Sequence, residues 1–158
     1  LPMSVINGYQ LLISKYYPMN RVILSVLTTS GRYAGPREAL FHALIRRNYG
    51  CTHIIIGRDH AGVNNYYGMY DSQNLCAKYE DALGIKIIKY KEPYFCWICN
   101  TITNKSLCSH ISSDPDSIEY ISGSKIRSLL SNGLRPSHHV MRPEVVEAIH
   151  SKNMFVLG

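Results

Sequence analysis

Apolar positions along the chain switch between helical spacing and nearly continuous runs. Between Asn7 and Tyr16 they recur three and four positions apart, which predicts a helix that ends before Pro18. Residues 21–27 form an apolar run rich in β-branched side chains, typical of a strand buried on both faces of a sheet. The chain is therefore expected to open with a helix and a buried parallel strand.

The same alternation continues through the first 90 residues. Pro36 stands in a first helical turn, an apolar stripe follows, and Gly50 marks the end of that helix. Asp71 is placed to begin a later helix, which is expected to run to residue 83. Two further apolar runs, at 52–56 and 85–90, predict strands. Strands that alternate with helices predict an α/β fold with a right-handed parallel sheet.

The segment 91–117 breaks this pattern. It is rich in Cys, Ser, Asn and Thr and shows no period, so we interpret it as a loop module inserted into one domain over 1–158. Regular spacing returns with a strand over 118–122, a helix up to residue 130 and a last helix from Pro143.

Composition and charge favour some classes of binding partner over others. Hydrophobic residues are 46% and charged residues 18% of the chain, as in ordinary folded proteins, and no apolar stretch approaches the ~20 residues that cross a bilayer. The net charge of +6 favours an anionic partner. Because the basic residues are scattered and no nucleic-acid-reading motif is present, a small anion is favoured over a polynucleotide. Five cysteines, an odd number, favour a reducing cytoplasm.

The first candidate site is the segment 57–62, Gly-Arg-Asp-His-Ala-Gly, which follows a predicted buried strand. Ligands bind at the carboxyl ends of strands in open α/β sheets, and glycines let the backbone approach a phosphate. Arg58 can bind oxygens bidentately, and His60 can donate to one. The alternative is a surface turn in which Arg58 pairs with Asp59.

The second candidate is the segment 121–127, where a strand end leads into a helix. The free amides of a first turn, with Ser122, Ser124 and Arg127 nearby, could hold a polyphosphate. A plain helix N-cap explains the same residues without a ligand.

The third candidate is a set of four soft metal ligands within the aperiodic segment: Cys96, Cys99, Cys108 and His110. Their spacing favours a tetrahedral structural zinc site, because such a set leaves no open coordination position. Redox use of Cys96 and Cys99 is the alternative. The remaining histidines, among them His42 on a predicted helix and the adjacent His138 and His139, are given no role.

Six blocks of the chain resemble, in order, the successive motifs of ATP sulfurylase. They lie at 32–39, 42–53, 57–62, 70–73, 121–127 and 141–146. The resemblance implies a Rossmann-like nucleotidyltransferase sheet with helices on both faces. It also implies a reaction in which MgATP and sulfate give adenylyl sulfate and pyrophosphate, with ATP and sulfate as the small-molecule partners.

The resemblance also assigns residues. Gly57, Arg58, Asp59 and His60 would bind ATP, with Arg58 and His60 catalytic, and the backbone of Ala61 would contact sulfate. A second ATP contact would come from the start of the later helix, through Ser122, Gly123, Ser124 and Arg127. The cysteine-rich segment resembles the zinc-bearing loop of bacterial and archaeal members, in which zinc is structural; Mg²⁺ would accompany ATP.

One departure from the family pattern is visible. The family's Gln-x-Arg-Asn-x-x-His-x-x-His block would precede this chain, as would its amino-terminal PUA-like domain, and the chain starts at Leu1 without an initiator Met. We therefore expect a piece of a longer enzyme that is inactive or very weak alone, whereas the intact enzyme is active. A homo-oligomer is a further expectation for the intact enzyme. A noncatalytic nucleotide- or oxyanion-binding module and a zinc-dependent interaction module are the alternatives.

Overall fold

The computed structural model describes residues 2–150, which fall into two compact units. One unit is formed by Thr28–Glu92, and the other combines the chain before residue 28 with the chain after residue 92. Within the described residues, no helix is long and apolar enough to cross a membrane. The division of 1–158 into one catalytic domain with an insert at 91–117 stays a prediction.

The unit over 28–92 has the predicted alternation of helices and strands. Strand β1 pairs in parallel with β2, with His53 opposite Lys86 and Ile56 opposite Lys89. The α/β class with a parallel sheet is thereby confirmed. The elements of this unit are α2 (Pro36–Asn48), β1 (His53–Ile56), α3 (Asp71–Lys78), α4 (Glu80–Leu83) and β2 (Lys86–Lys89).

The core of this unit lies between the two strands and their helices. Ile54 and Ile56 of β1 are buried against α2 and α3, whereas Ile55, on the opposite face of the strand, is 58% exposed. The expected helix over 71–83 is interrupted at Tyr79, where α3 ends and α4 begins. The core residues are Ala39, Ala43, Ile54, Ile56, Cys76, Leu83 and Ile85.

The predicted strand over 21–27 is wrong. The structure assigns no strand to these residues, and Ile23 is 94% and Val26 59% exposed. A β-branched run forms a strand only where a neighbouring strand supplies hydrogen-bond partners, and no ladder of the described residues includes this segment.

The other unit joins a helix pair to a small antiparallel sheet. Helix α1 begins at Pro2, five residues before its predicted start, and packs against α7, where the Tyr16 hydroxyl donates to Glu144 and Arg142 lies 3.9 Å from the Tyr16 ring centre. The helices are α1 (Pro2–Tyr16), α5 (His110–Ser113), α6 (Gly123–Ser131) and α7 (Pro143–His150), with a short 3-10 turn at Pro115–Ser117.

The aperiodic segment contains more regular structure than its composition indicates. It supplies two strands of a three-stranded antiparallel sheet in the order β4-β3-β5, in which Phe95 pairs with Ile102 on one side and Glu119 on the other. Each strand has three residues, too few to produce a detectable alternation. The strands are β3 (Tyr94–Cys96), β4 (Thr101–Thr103) and β5 (Ile118–Tyr120).

Candidate functional site

The glycine-flanked loop over 57–62 follows directly from the carboxyl end of β1, as predicted. Asp59 and Ala61 both have positive φ values, 49° and 57°, which non-glycine residues adopt only when their surroundings hold them there. The Asp59 N–H donates to the Met69 carbonyl at 2.8 Å, and the Ala61 carbonyl accepts the Gly35 N–H at 2.9 Å. The loop is therefore fixed from both sides by backbone hydrogen bonds.

Gly35 lets the segment before α2 approach this loop closely. It has a φ of 53°, and an added Cβ would lie 2.4 Å from a ring carbon of Tyr67. Any larger residue would be strained twice, by its backbone conformation and by the ring. The close contact explains why glycine precedes Pro36 here.

Two adjacent polar side chains of α3 hold the end of β1 and the loop. The Ser72 hydroxyl donates to the His60 carbonyl at 2.8 Å, and the Gln73 amide donates to the carbonyls of Ile56 and Tyr90 at 2.9 and 2.6 Å. Ser72 and Gln73 are buried although both are polar. Gln73 thus joins the carboxyl ends of β1 and β2, where the loop begins.

Arg58 forms an ion pair outside the loop. Its Nη1 lies 2.8 Å from Glu92 Oε1, and its side chain is 36% exposed. The alternative in which Arg58 pairs with Asp59 is therefore wrong. A partly exposed guanidinium at the strand end keeps donors that an anion can reach, since a guanidinium carries five N–H groups.

His60 contacts a second histidine that the sequence pattern did not bring to attention. Its Nε2 lies 3.1 Å from Nδ1 of His42 on α2, and the ring planes are nearly perpendicular. We call these two residues the histidine pair. Burial lowers the pKa of both rings, and the charge of Arg46 acts in the same direction, so both rings are neutral at neutral pH.

A buried carboxylate stands behind the histidine pair. Glu38 accepts the N–H groups of Arg32 and Ala34 at 3.0 and 2.9 Å, and its Oε1 lies 3.6 Å from Nε2 of His42. The hydrogen bond from Arg32 is the largest effect that lowers the pKa of Glu38, so the carboxyl group is ionised. A row of three side chains therefore runs from the first turn of α2 to the loop: Glu38, His42 and His60.

A cleft of about 280 Å³ lies beside Glu38 and is lined by two cationic residues, this one carboxylate and two apolar residues: Arg32, Arg37, Glu38, Ala34 and Phe41. A second cleft of similar volume lies at the opposite, amino-terminal end of the strands, where Lys86 pairs with Glu80 at 2.9 Å. The first cleft has the charge that an anionic ligand requires.

The segment 121–127 has the geometry of an N-capped helix. Ser122 is extended, with φ −138° and ψ 129°, and its hydroxyl accepts the Lys125 N–H at 3.3 Å. Arg127 donates to the Ser124 hydroxyl at 3.2 Å, so its guanidinium lies over the first turn. These residues belong to the unit that lacks the loop over 57–62.

The four predicted metal ligands lie together, and their separations fit a tetrahedral ion. The donor atoms are all within 4.8 Å of one another. Zinc bonds of about 2.3 Å to sulfur and 2.0 Å to nitrogen place two sulfurs about 3.8 Å apart and a sulfur and a nitrogen about 3.5 Å apart. Cys99 and Cys108 Sγ are 3.8 Å apart, and the three sulfurs of the set lie 3.3 to 3.5 Å from His110 Nδ1. The cluster could therefore hold a metal such as zinc.

Residues of the antiparallel sheet position the side chains of this cluster. Cys96 ends β3, and its sulfur accepts the Cys99 N–H at 3.4 Å, which folds the turn between the two ligands. The buried hydroxyl of Tyr94 donates to the Cys108 carbonyl at 3.0 Å, and burial raises the pKa of Tyr94 to about 12. Tyr94 is thus protonated at neutral pH and fixes the second half of the site.

Sequence reasoning located the loop and the metal cluster but missed His42 and Gln73. The spacing of Glu38 and His42, four residues apart on a predicted helix, was an available signal for a paired histidine. Gln73 lies in the block at 70–73 that carries the resemblance, but no local signal indicates what it binds, because both carbonyls are far from it in sequence.

The chain matches the family model described as ATP-sulfurylase over residues 3–152. It is 44% identical to the sulfate adenylyltransferase of Hyperthermus butylicus over 156 residues, 98% of this chain and 39% of that protein. It is 45% identical to the sulfate adenylyltransferase of a Synechococcus species over 142 residues, 89% of this chain and 35% of that protein. The chain therefore spans less than two-fifths of the length of these curated relatives.

Among solved structures, the chain is similar to one described as a hexameric APS kinase from Thiobacillus denitrificans. The TM-score is 0.65 at 18% sequence identity, and the alignment covers 96% of this chain and 27% of the other. This likeness supports the fold.

Proposed function

This chain belongs to the ATP-sulfurylase family, and on that premise we propose that the intact protein is a sulfate adenylyltransferase of sulfur metabolism. It would join sulfate to the adenylyl group of ATP and release pyrophosphate. The observation that carries the proposal is the family match over nearly the whole chain, together with a fixed, cationic loop at the carboxyl end of a parallel strand.

In this proposal the loop over 57–62 binds ATP through Gly57, Arg58, Asp59 and His60, and the backbone at Ala61 contacts sulfate. Asp59 and Ala61 both have positive φ values, and turns of this kind can form an anion-binding concavity from their backbone N–H groups. The loop is rigid before any ligand arrives, because α3 and the segment before α2 already hold it. A rigid site loses little conformational freedom on binding.

The chemical task is to hold two polyanions together while a sulfate oxygen attacks the α-phosphorus in line and the bond to pyrophosphate breaks. Arg58 and His60 are the catalytic residues in this proposal, because they stabilise the negative charge that grows on the bridging and leaving oxygens. Mg²⁺ bound to ATP supplies further charge compensation. Sulfate is already a dianion, so no general base is needed.

The start of α6 would hold the polyphosphate through Ser122, Gly123, Ser124 and Arg127. Nine residues of helix align their peptide dipoles behind this first turn, and the Arg127 guanidinium is already positioned over it. We further propose that the cluster at 96–110 binds structural zinc, since four protein ligands leave no position for a substrate. A cytoplasmic location and a homo-oligomer stay predictions.

The test is pyrophosphate release by the full-length protein given ATP with and without sulfate. Sulfate-dependent release is expected, and Arg58→Ala should reduce kcat/KM by about 100-fold or more because it removes a donor to the developing charge. Lys78→Ala, on the exposed surface of α3, is the matched control and should leave the rate unchanged.

Two outcomes would contradict the proposal. ATP binding without sulfate-dependent release would indicate a noncatalytic nucleotide module. Absence of nucleotide binding, with a protein partner lost when Cys96 is replaced by Ser, would indicate a zinc-dependent interaction module.

A further inference from the structure

His60 is held by two different helices. Its carbonyl accepts the hydroxyl of Ser72 on α3, and its ring nitrogen Nε2 lies 3.1 Å from Nδ1 of His42 on α2. The first contact fixes the backbone and the second fixes the ring. Because Nε2 is used by His42, Nδ1 is the ring nitrogen of His60 that makes no hydrogen bond to the described residues.

Glu38 determines which nitrogen of His42 carries the proton. Glu38 is 6% exposed and ionised, and an ionised carboxylate can only accept hydrogen bonds. Its Oε1 lies 3.6 Å from Nε2 of His42, so a proton on Nε2 is attracted to it, whereas a lone pair there would be repelled. In the neutral ring, Nδ1 of His42 then carries the lone pair and accepts the N–H of His60.

The carboxylate is itself fixed, which makes this arrangement stable without a ligand. Both of its oxygens accept backbone N–H groups, one from Arg32 and one from Ala34. The backbone therefore donates to Glu38, the Glu38 carboxylate attracts the N–H of His42 across 3.6 Å, and His42 accepts from His60. A chain of donors that starts from the backbone leaves a single favourable tautomer for both rings.

We propose that His42 is a positioning residue for His60: together with Glu38 it fixes the orientation and tautomer of the His60 ring, so that Nδ1 faces the substrate. The identification of the substrate as ATP rests on the proposed function, whereas the inferred tautomer of the His60 ring does not. Without a ligand, neutral His60 keeps its lone pair on Nδ1. A bound polyanion raises the pKa of the ring, so that Nδ1 gains a proton and donates to a phosphoryl oxygen as imidazolium.

The tautomer is tested directly in the full-length protein labelled with ¹⁵N-histidine. Long-range ¹H–¹⁵N correlation spectra distinguish the two nitrogens of each ring, and His42→Asn and His60→Asn assign the signals. Both rings are expected to carry the proton on Nε2 at pH 7.5. A proton on Nδ1 of His42, or rings that exchange between tautomers, would overturn the proposal.

Kinetics test the consequence for the reaction. Asn at position 42 keeps an acceptor near the place of Nδ1, so His42→Asn should retain kcat within about threefold, while His42→Leu should lose about 10- to 100-fold in kcat. The KM for ATP should change by less than about threefold in both, because the loop backbone is still held by α3. His53→Asn, an exposed histidine at the start of β1, is the matched control.

The two possible failures are distinguishable. Wild-type protein that releases no pyrophosphate would refute the proposed function, but the tautomers of the histidine pair would still be measured. An active wild type in which His42→Leu keeps its kcat, or in which Asn and Leu have equal effects, would refute the positioning role alone.

Discussion

Replacing Gln73 with Leu is the most direct test of how the candidate loop is supported. In the structure this one amide donates to the carbonyls of Ile56 and Tyr90, at the carboxyl ends of β1 and β2. Leu has a similar volume but no donor, so the change removes two hydrogen bonds and leaves the helix packing nearly intact. We expect a loss of stability at the strand ends and in the loop that follows β1.

The size of the stability loss depends on the hydrogen bonds that the two carbonyl groups keep after the substitution. The Ile56 carbonyl also accepts the Tyr90 N–H at 3.2 Å, so it loses only one of two bonds, a cost of about 1 kcal/mol. The hydrogen bond from Gln73 to the Tyr90 carbonyl is partly buried, and its loss costs roughly 1–2 kcal/mol. Together the expected decrease in the free energy of unfolding is about 2–3 kcal/mol.

A second substitution at the same position separates size from hydrogen bonding. Gln73→Glu keeps the shape but places a carboxylate against two carbonyl oxygens, so the folded state raises the pKa of the introduced group. Its stability should be greatest below the ordinary pKa of about 4.3 and fall as the pH rises above that value, because only the protonated form can donate. Gln73→Leu should lack this pH dependence.

Urea unfolding and hydrogen exchange of peptides over 53–62 and 85–92 measure these effects. Asn74→Leu, at the neighbouring exposed position of α3, is the control and should change stability by less than about 0.5 kcal/mol. If Gln73→Leu and Asn74→Leu had equal effects, or if exchange increased only outside these two peptides, the argument that Gln73 joins the strand ends would be wrong.

Three further predictions concern other features. Gly35→Ala should lower the free energy of unfolding in urea by about 2–4 kcal/mol, because backbone strain adds to a clash with the Tyr67 ring. Gly50→Ala, with open space around it at φ 85°, should cost only about 1–2 kcal/mol. Equal losses would refute the packing argument. Cys108→Ser should abolish zinc retention measured by atomic absorption, and Cys51→Ser, outside the cluster, should not. Burial lowers the pKa of both members of the histidine pair, so below about pH 6.5 the unfolded chain binds more protons than the folded chain. The free energy of unfolding should therefore fall as the pH drops through this window. A slope unaffected by His42→Leu would contradict this prediction.

The features predicted correctly from sequence depend on residues close together in the chain. The loop over 57–62 begins where a short apolar run ends, and the cluster that could hold a metal, Cys96, Cys99, Cys108 and His110, lies within fifteen consecutive positions. Local spacing is sufficient for both, because a strand end and a turn between ligands are formed by neighbouring residues.

The features that were missed depend on contacts between distant residues. The run at 21–27 has the composition of a strand, but a strand also needs a partner, and composition does not provide one. His42 acquires its partner only when α2 packs beside the loop 18 residues later. In the same way, Gln73 binds two carbonyls that are each 17 residues away.

The consecutive positions of Ser72 and Gln73 have a mechanical consequence. Ser72 holds the middle of the loop and the next residue, Gln73, holds its beginning, so a displacement of helix α3 also displaces the loop. A ligand, a neighbouring subunit or a substitution that tilted α3 would therefore shift the His60 backbone without touching it. Helix α2 contacts the ring of the same residue independently. A tilt of α3 alone would therefore move the His60 backbone relative to the helix that holds its ring.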